Sequence, residues 1–143
     1  MDEMQRLELI AETVKYAQRA KTMGAPASVY AKAIREAIHF IWERRSGKPK
    51  HSCAQYRSVR LGDKDRAIYD HVVPMRFLIK DLMDLENASP GSVATVLLTA
   101  GPICLITHDE DELLRKAGLG RSTPDRNDPF SRYRVVGIEV RSL

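Results

Sequence analysis

The apolar residues of the first third of the chain recur at helical spacing. A first predicted helix carries Leu7, Ile10, Val14 and Ala17 on one face, and Gly24-Ala25-Pro26 ends it. A second helix, ended by Gly47 and Pro49, has an apolar face of Tyr30, Ala33, Ile34, Ala37, Ile38, Ile41 and Trp42. Two amphipathic helices joined by a short connection predict a helical hairpin over residues 1–47.

The rest of the chain alternates short apolar runs with helical faces. The pattern predicts strands near Gln55–Leu61, at Ala67–Val73, at Ile103–Thr107 and at Tyr133–Val140. It predicts helices after Pro74, after Ser89-Pro90 and from Thr107 to Ala117, the last closed by Gly118. We therefore expect an α+β fold with a small β-sheet. A single domain would comprise the hairpin, a connection at 48–66, a core at 67–118, and a C-terminal loop and strand at 119–143.

Composition restricts the class of protein. The chain has 143 residues, of which 43% are hydrophobic and 29% charged, as in ordinary globular domains. No run of about 18 apolar residues is present, so no membrane span is expected. The acidic N-terminus, Met1-Asp2-Glu3, does not look like a secretory signal. Cys53 and Cys104 are too few for a disulfide framework. We expect two inert thiols in a cytoplasmic protein.

Positive charge is concentrated between Arg44 and Arg66. The net charge of the chain is +4, but this window carries +6 and the remainder −2. Such a block suits a polyanion such as nucleic acid, and it equally suits a solvated linker. The basic residues of the block are Arg44, Arg45, Lys48, Lys50, Arg57, Arg60, Lys64 and Arg66.

Two segments contain side chains that could bind a metal ion or act in acid–base catalysis. Asp70-His71 ends one predicted strand, and His108, Asp109, Glu110 and Asp111 begin the helix after the next. Imidazole and carboxylate groups could enclose a divalent cation there and leave a histidine as general base. A purely structural interpretation also stands. Adjacent strand side chains face opposite ways unless the strand bulges, and Thr107 with Glu110 matches a helix capping box.

These segments resemble a known family. Asp70-His71-Val72-Val73-Pro74 is similar to the catalytic strand of the HNH (ββα-metal) nucleases, and Ile103–Gly118 resembles their second strand and metal-binding helix. The resemblance implies a ββα core with a helical insertion and a metal-dependent endonuclease. His71 would activate water. By its position beside this strand, Arg66 could contact the non-bridging oxygens of the phosphate. One divalent ion (Mg, Mn, Ni or Zn) would bind among Asp70, His108, Glu110 and Asp111.

Further cations could contact nucleic acid. Arg76 follows the predicted catalytic strand, and Arg132 and Arg134 lie among aromatic residues near the C-terminus. We expect these three and the basic block from Arg44 to Lys64 to bind nucleic acid, with DNA favoured over RNA. The alternative functions are a non-catalytic nucleic-acid-binding module and a protein-interaction module. In the latter, Tyr16, Tyr30 and Trp42 of the N-terminal helices would line a groove for a partner or a second copy.

Overall fold

The computed structural model describes all residues, 1–143, and has six α-helices and one four-stranded sheet. The helices are α1 (Glu3–Thr22), α2 (Ala27–Glu36), α3 (Met75–Met83), α4 (Pro90–Ala100), α5 (His108–Lys116) and α6 (Ser131–Val136). The strands are β1 (Tyr56–Ser58), β2 (Ile68–His71), β3 (Ile103–Ile106) and β4 (Val140–Ser142). The α+β prediction is confirmed. No helix is long and apolar enough to cross a bilayer.

The helical layer contains the larger hydrophobic core. Ile10 and Val14 of α1 pack in it with Ile34 of α2, Leu82 of α3 and Val93 of α4, all fully buried. These residues lie on the apolar stripes that the 3.6-residue period picks out. The side-chain amide of Gln18 in α1 donates to the carbonyls of Met83, the last residue of α3, and of Leu85. These hydrogen bonds stabilise the packing of α1 on α3. The helical hairpin therefore packs on α3 and α4 as one layer.

A π-helix, Ala37–Glu43, continues directly from α2. π-helical turns are rare and are frequently found at functional sites. The Arg6 guanidinium of α1 donates to the carbonyl of Ile41 at 2.8 Å, which satisfies a backbone acceptor in this turn. Trp42 is buried in the helical core. Because Trp42 is buried and the cavity that Tyr16 lines contains neither Tyr30 nor Trp42, these three residues do not line one groove as expected.

The sheet has the order β2-β3-β1-β4. β3 pairs with β2 antiparallel and with β1 parallel, and β4 pairs antiparallel with β1. The β2–β3 register runs without interruption from Ile68 opposite Ile106 to His71 opposite Ile103. β2 therefore has no bulge, and successive side chains point to opposite faces. A second, smaller core under the sheet includes Val72, Cys104, Leu114 and Tyr133.

The C-terminal segment departs from the sequence prediction. Residues predicted as the strand Tyr133–Val140 form α6, a turn, and only then β4. Gly137 adopts a left-handed conformation with φ of 77° and ends the helix. The β-branched residues favoured a strand. Tertiary contacts of Arg132 and Tyr133, both almost fully buried, favour the helix instead.

Both ends of α5 form as the sequence predicts. The Thr107 hydroxyl accepts from the Glu110 amide at 3.0 Å, and the Glu110 carboxylate accepts from the Thr107 amide at 2.9 Å. At the other end Gly118 has φ of 73°, and the amide of Leu119 donates to the carbonyl of Leu114. The capping box thus accounts for one of the acids that begin α5.

Removal of the cap has a measurable expected effect. Replacing Thr107 with alanine should lower the free energy of unfolding by about 1 kcal/mol, because the amide of Glu110 loses its acceptor. Urea unfolding followed by circular dichroism measures it. The matched control is Thr13→Ala on the exposed part of α1, where the hydroxyl only donates to the carbonyl of Leu9. Equal losses in the two variants would contradict a capping role.

Burial explains why the thiol of Cys104 is unreactive. Cys104 is fully buried in β3, and burial raises the pKa of its thiol to about 12. A thiol with this pKa carries almost no thiolate at neutral pH, so Cys104 is unreactive as expected. Cys53 is also free and does not pair with it.

Candidate active site

His71, the last residue of the edge strand β2, lies in a cleft with two lobes. The first lobe, called here the basic lobe, has a volume of about 540 Å³ and is lined by residues that include Arg35, Tyr69, His71, Arg76 and Arg121. The second, called the apolar lobe, has a volume of about 390 Å³ and is lined by residues that include His39, Phe40, Lys50 and Met75. Arg35, His71 and Met75 border both lobes. His71 therefore lies where the two lobes meet.

A buried carboxylate holds the His71 ring. Oε2 of Glu43, whose side chain is only 3% exposed, lies 2.7 Å from Nε2 of His71. The other oxygen accepts from the Tyr69 hydroxyl at 3.2 Å and lies 3.3 Å from Nδ1 of His39. Burial acts to raise the pKa of Glu43, but the hydrogen bonds from His71, His39 and Tyr69 and the charge of His71 outweigh it. The pKa of Glu43 is therefore lowered.

The ionised state of Glu43 fixes the proton on the His71 ring. A carboxylate only accepts hydrogen bonds, so Nε2 of His71 must carry the hydrogen that it donates. Nδ1 has no hydrogen-bond partner in the protein and is not among the buried atoms that lack one. It is therefore open to solvent. In the neutral ring, Nδ1 has a free lone pair at the cleft, as a general base requires.

The charge on Glu43 links protein stability to pH. The folded-state pKa lies below the ordinary value, so this carboxylate stabilises the fold above pH 4.5 and ceases to do so as pH falls through the folded-state pKa. Between pH 6 and about pH 3, the free energy of unfolding should fall more steeply for the wild type than for Glu43→Gln. Urea unfolding across this range measures both slopes. Parallel curves would show that Glu43 is not held ionised.

Cations without acidic partners surround His71. Arg35 of α2, Arg76 of α3 and Arg121, which follows α5, line the basic lobe, and no carboxylate lies within 4.0 Å of any of them. Arg76 instead donates to the carbonyl of Arg121 and lies over the Phe77 ring. Lys50 lies over the Tyr69 ring at 4.6 Å. This set of uncompensated charges favours an anionic ligand.

Asp70, the neighbour of His71, also borders the basic lobe, but its carboxylate is bound by residues on the other face of β2. Its carboxylate accepts from the Tyr133 hydroxyl and from the Arg132 guanidinium at 3.1 Å. Arg132 is 1% exposed and also donates to the carbonyls of Leu119, His71 and Val72. Burial raises the pKa of Asp70, against the opposing effect of Arg132 and Tyr133. Asp70 and Arg132 are thus a structural pair, which corrects the expectations of a metal ligand and of a nucleic-acid contact.

The structure does not bring the expected metal ligands together. Glu110 is buried and accepts from the Ser58 hydroxyl at 2.8 Å as well as from the cap. With Arg66 and His108 it lines a separate cavity of about 470 Å³ that includes neither Asp70 nor His71. No group of three His, Cys, Asp or Glu side chains is arranged to hold a metal ion. Asp70, His108, Glu110 and Asp111 therefore do not form one site, and Arg66 does not reach His71.

The other residues predicted to contact nucleic acid differ in their exposure and in whether they have an acidic partner. Arg45 is half-buried and lies over the Trp42 ring at 4.1 Å, and Arg57 is half-buried and donates to the carbonyl of Leu61 at 2.7 Å. Arg134 is exposed and pairs with Asp128. The expected contacts that are exposed and have no acidic partner are Arg44, Lys48, Lys50, Arg60, Lys64 and Arg76.

Comparison with protein-family models, with curated proteins and with solved structures gives no match to this chain. The HNH resemblance therefore remains a hypothesis that depends on the residues themselves. β2 and β3 are antiparallel neighbours with two helices between them, and α5 follows β3. This order of elements agrees with a ββα core that has a helical insertion.

The residues at the cleft that are not predicted as functional from the sequence include Glu43, Arg35, Tyr69, His39 and Phe40. Only Glu43 leaves a signal in the sequence. It lies in an otherwise apolar run next to Trp42 and four residues after His39, a spacing that places two side chains on the same side of a helix. A carboxylate in a predicted core face requires a partner, and that partner is a histidine.

Proposed function

We propose that this protein hydrolyses phosphodiester bonds of nucleic acid in the cytoplasm, with His71 as the general base. One observation carries the proposal. A buried carboxylate, Glu43, holds the His71 ring so that Nδ1 is free at a lobe lined by three arginines without acidic partners. An activated imidazole beside unpaired guanidinium groups suits water attack on a phosphate.

The proposed chemistry uses groups that line the cleft. Nδ1 of His71 takes a proton from water as the water oxygen bonds to phosphorus. The bond from phosphorus to the bridging oxygen breaks, and that oxygen leaves with the bonding electron pair and is protonated by solvent. The imidazolium then returns its proton to solvent. The Glu43 carboxylate stabilises the imidazolium that forms, since it already accepts from Nε2. Arg35, Arg76 and Arg121 bind the non-bridging oxygens, whose negative charge increases in the transition state.

A metal ion held by Asp70 and the acids of α5 does not fit these residues. The Asp70 carboxylate is committed to Arg132 and Tyr133, and that of Glu110 to Ser58 and Thr107. The proposed steps therefore involve protein groups alone. The assay below still varies the metal, because the HNH resemblance implies one.

The test measures cleavage and binding together. Purified protein is incubated with plasmid, single-stranded DNA and RNA, with Mg²⁺, Mn²⁺, Ni²⁺ or Zn²⁺ and with chelator. We expect cleavage of at least one substrate. The double variant Arg35→Ala/Arg121→Ala should bind more weakly, and the slope of log K against log salt should decrease by about 2, one for each lost phosphate contact.

The matched control is Arg19→Ala, an exposed arginine of α1 on the far side of the hairpin from its core. It should leave the rate and the salt slope unchanged. The proposal fails if no substrate is cleaved under any condition. Binding without cleavage would instead support the non-catalytic nucleic-acid-binding module.

A further inference from the structure

The apolar lobe contains an exposed aromatic side chain next to the proposed catalytic histidine. Phe40 is 58% exposed, although its neighbours Ile38 and Trp42 on the same π-helix are buried. The Phe40 ring packs edge to face with His39, at 4.7 Å between ring centroids. His39 in turn contacts Glu43, the carboxylate that holds His71. The ring is therefore supported by the same cluster that orients the base.

The surroundings of Phe40 favour a nucleobase. Arg35 and Lys50, both positively charged and without acidic partners, line the lobe beside it. The one acid in the lining, Glu36, has its own counter-charge, because its Oε1 lies 3.9 Å from Nζ of Lys32. Proteins that bind single strands combine cations along the backbone with aromatic rings on which unstacked bases lie. A base inside a duplex already stacks on its neighbours and cannot lie on a protein ring without being extruded.

We propose that the apolar lobe binds one unpaired base of single-stranded nucleic acid, stacked on Phe40, while an adjacent phosphate occupies the basic lobe at His71. This rests on the proposed function for the position of the phosphate. The substrate class is therefore single-stranded nucleic acid, or a single-stranded segment within a longer molecule. The base lobe and the phosphate lobe meet at Arg35, His71 and Met75, so one nucleotide and its linkage can span both.

The experiment compares oligonucleotides with and without a base. Fluorescence anisotropy measures the binding of a short single strand, of the same strand with abasic sugars, and of the matching duplex. Stacking on an aromatic side chain contributes about 1–3 kcal/mol per base, so Phe40→Ala should weaken binding of the intact strand by about 5- to 150-fold. It should leave binding of the abasic strand unchanged, and the duplex should bind more weakly than the intact strand.

Two further variants sharpen the comparison. Phe40→Trp should keep the affinity, and its added fluorescence should be quenched by the intact strand but not by the abasic one, since Trp42 is buried and contributes equally to both. Leu98→Ala is the control, because Leu98 is also an exposed apolar residue but lies on α4, and its replacement should change no affinity. Phe40 is exposed, so its replacement should leave the thermal unfolding midpoint unchanged.

The outcomes separate this inference from the proposed function. His71-dependent cleavage with equal affinities for wild type and Phe40→Ala would overturn the base-binding lobe and leave the nuclease proposal intact. Loss of affinity in Phe40→Ala that is equal for intact and abasic strands would also overturn it. Base-dependent binding without any cleavage would support the lobe and overturn the nuclease. A protein that binds none of the three oligonucleotides would overturn both.

Discussion

Replacing His71 with alanine should lower the rate of phosphodiester cleavage by about 10²- to 10⁴-fold, the usual contribution of a positioned general base. The ring is 22% exposed, and its only hydrogen bond in the protein is to Glu43, so its removal leaves the backbone of β2 paired with β3. Without Nδ1, no other imidazole reaches the basic lobe. The rate constant at saturating substrate, from a discontinuous cleavage assay, measures the loss.

His108→Ala is the matched control. His108 is exposed at the start of α5 and lines the separate cavity with Glu110 and Arg66. Its replacement removes the same functional group from the other end of the HNH-like pattern. The cleavage rate of the His108→Ala variant should stay within about twofold of the wild-type rate, which corresponds to a change of less than about 0.5 kcal/mol in the activation free energy. Equal rates for His71→Ala and the wild type, or an equal loss in His108→Ala, would contradict the assignment of the base.

Periodicity predicted those elements in which burial agrees with local preference. The apolar stripes of α1, α3 and α4 are the residues of the larger core, and the capping box of α5 forms as the sequence indicates. The segment at α6 could not be predicted in this way. Its β-branched residues favour a strand, whereas its conformation depends on the contact of Arg132 and Tyr133 with Asp70, more than 60 positions earlier in the chain.

The candidate site was predicted only in part for a related reason. The sequence predicts His71 as a general base, but the group that the structure places against its ring, Glu43, is 28 positions away on a π-helix. No spacing rule links a helix end to the end of an edge strand. The pattern of acids at the start of α5 indicated a metal site, yet α5 projects Glu110 into the capping box and towards Ser58. The local sequence pattern identifies candidate residues, but tertiary packing determines which of these residues contact one another.

Strand alternation explains why Asp70 and His71 differ in role. On a regular strand, adjacent side chains face opposite ways, and the β2–β3 register is regular across both residues. Asp70 therefore faces the smaller core, where Arg132 and Tyr133 bind it, and His71 faces the cleft, where Glu43 binds it. One dipeptide thus binds Arg132 and Tyr133 of α6 through Asp70 and places the imidazole of His71 at the cleft. The two functions can be tested separately.

The anchoring function predicts a large loss of stability. Replacing Arg132 with methionine should lower the free energy of unfolding by about 3–5 kcal/mol, because it leaves the Asp70 carboxylate buried without its counter-charge. The three carbonyls that the guanidinium also satisfies lose a donor. Chemical unfolding followed by circular dichroism measures the change. Arg134→Met is the control: its pair with Asp128 is at the surface and should contribute less than about 1 kcal/mol.

A second variant keeps this prediction testable even where the first barely folds. In Asp70→Asn/Arg132→Met the buried charge is gone, so part of the lost stability should return, as in other buried pairs replaced by neutral groups. The pH dependence has a defined sign. An unpaired buried carboxyl has a raised pKa in the folded state, so the deficit of Arg132→Met should shrink as pH falls and Asp70 becomes protonated. A deficit independent of pH, or equal losses in Arg132→Met and Arg134→Met, would show that the Asp70–Arg132 pair does not hold α6 to the sheet.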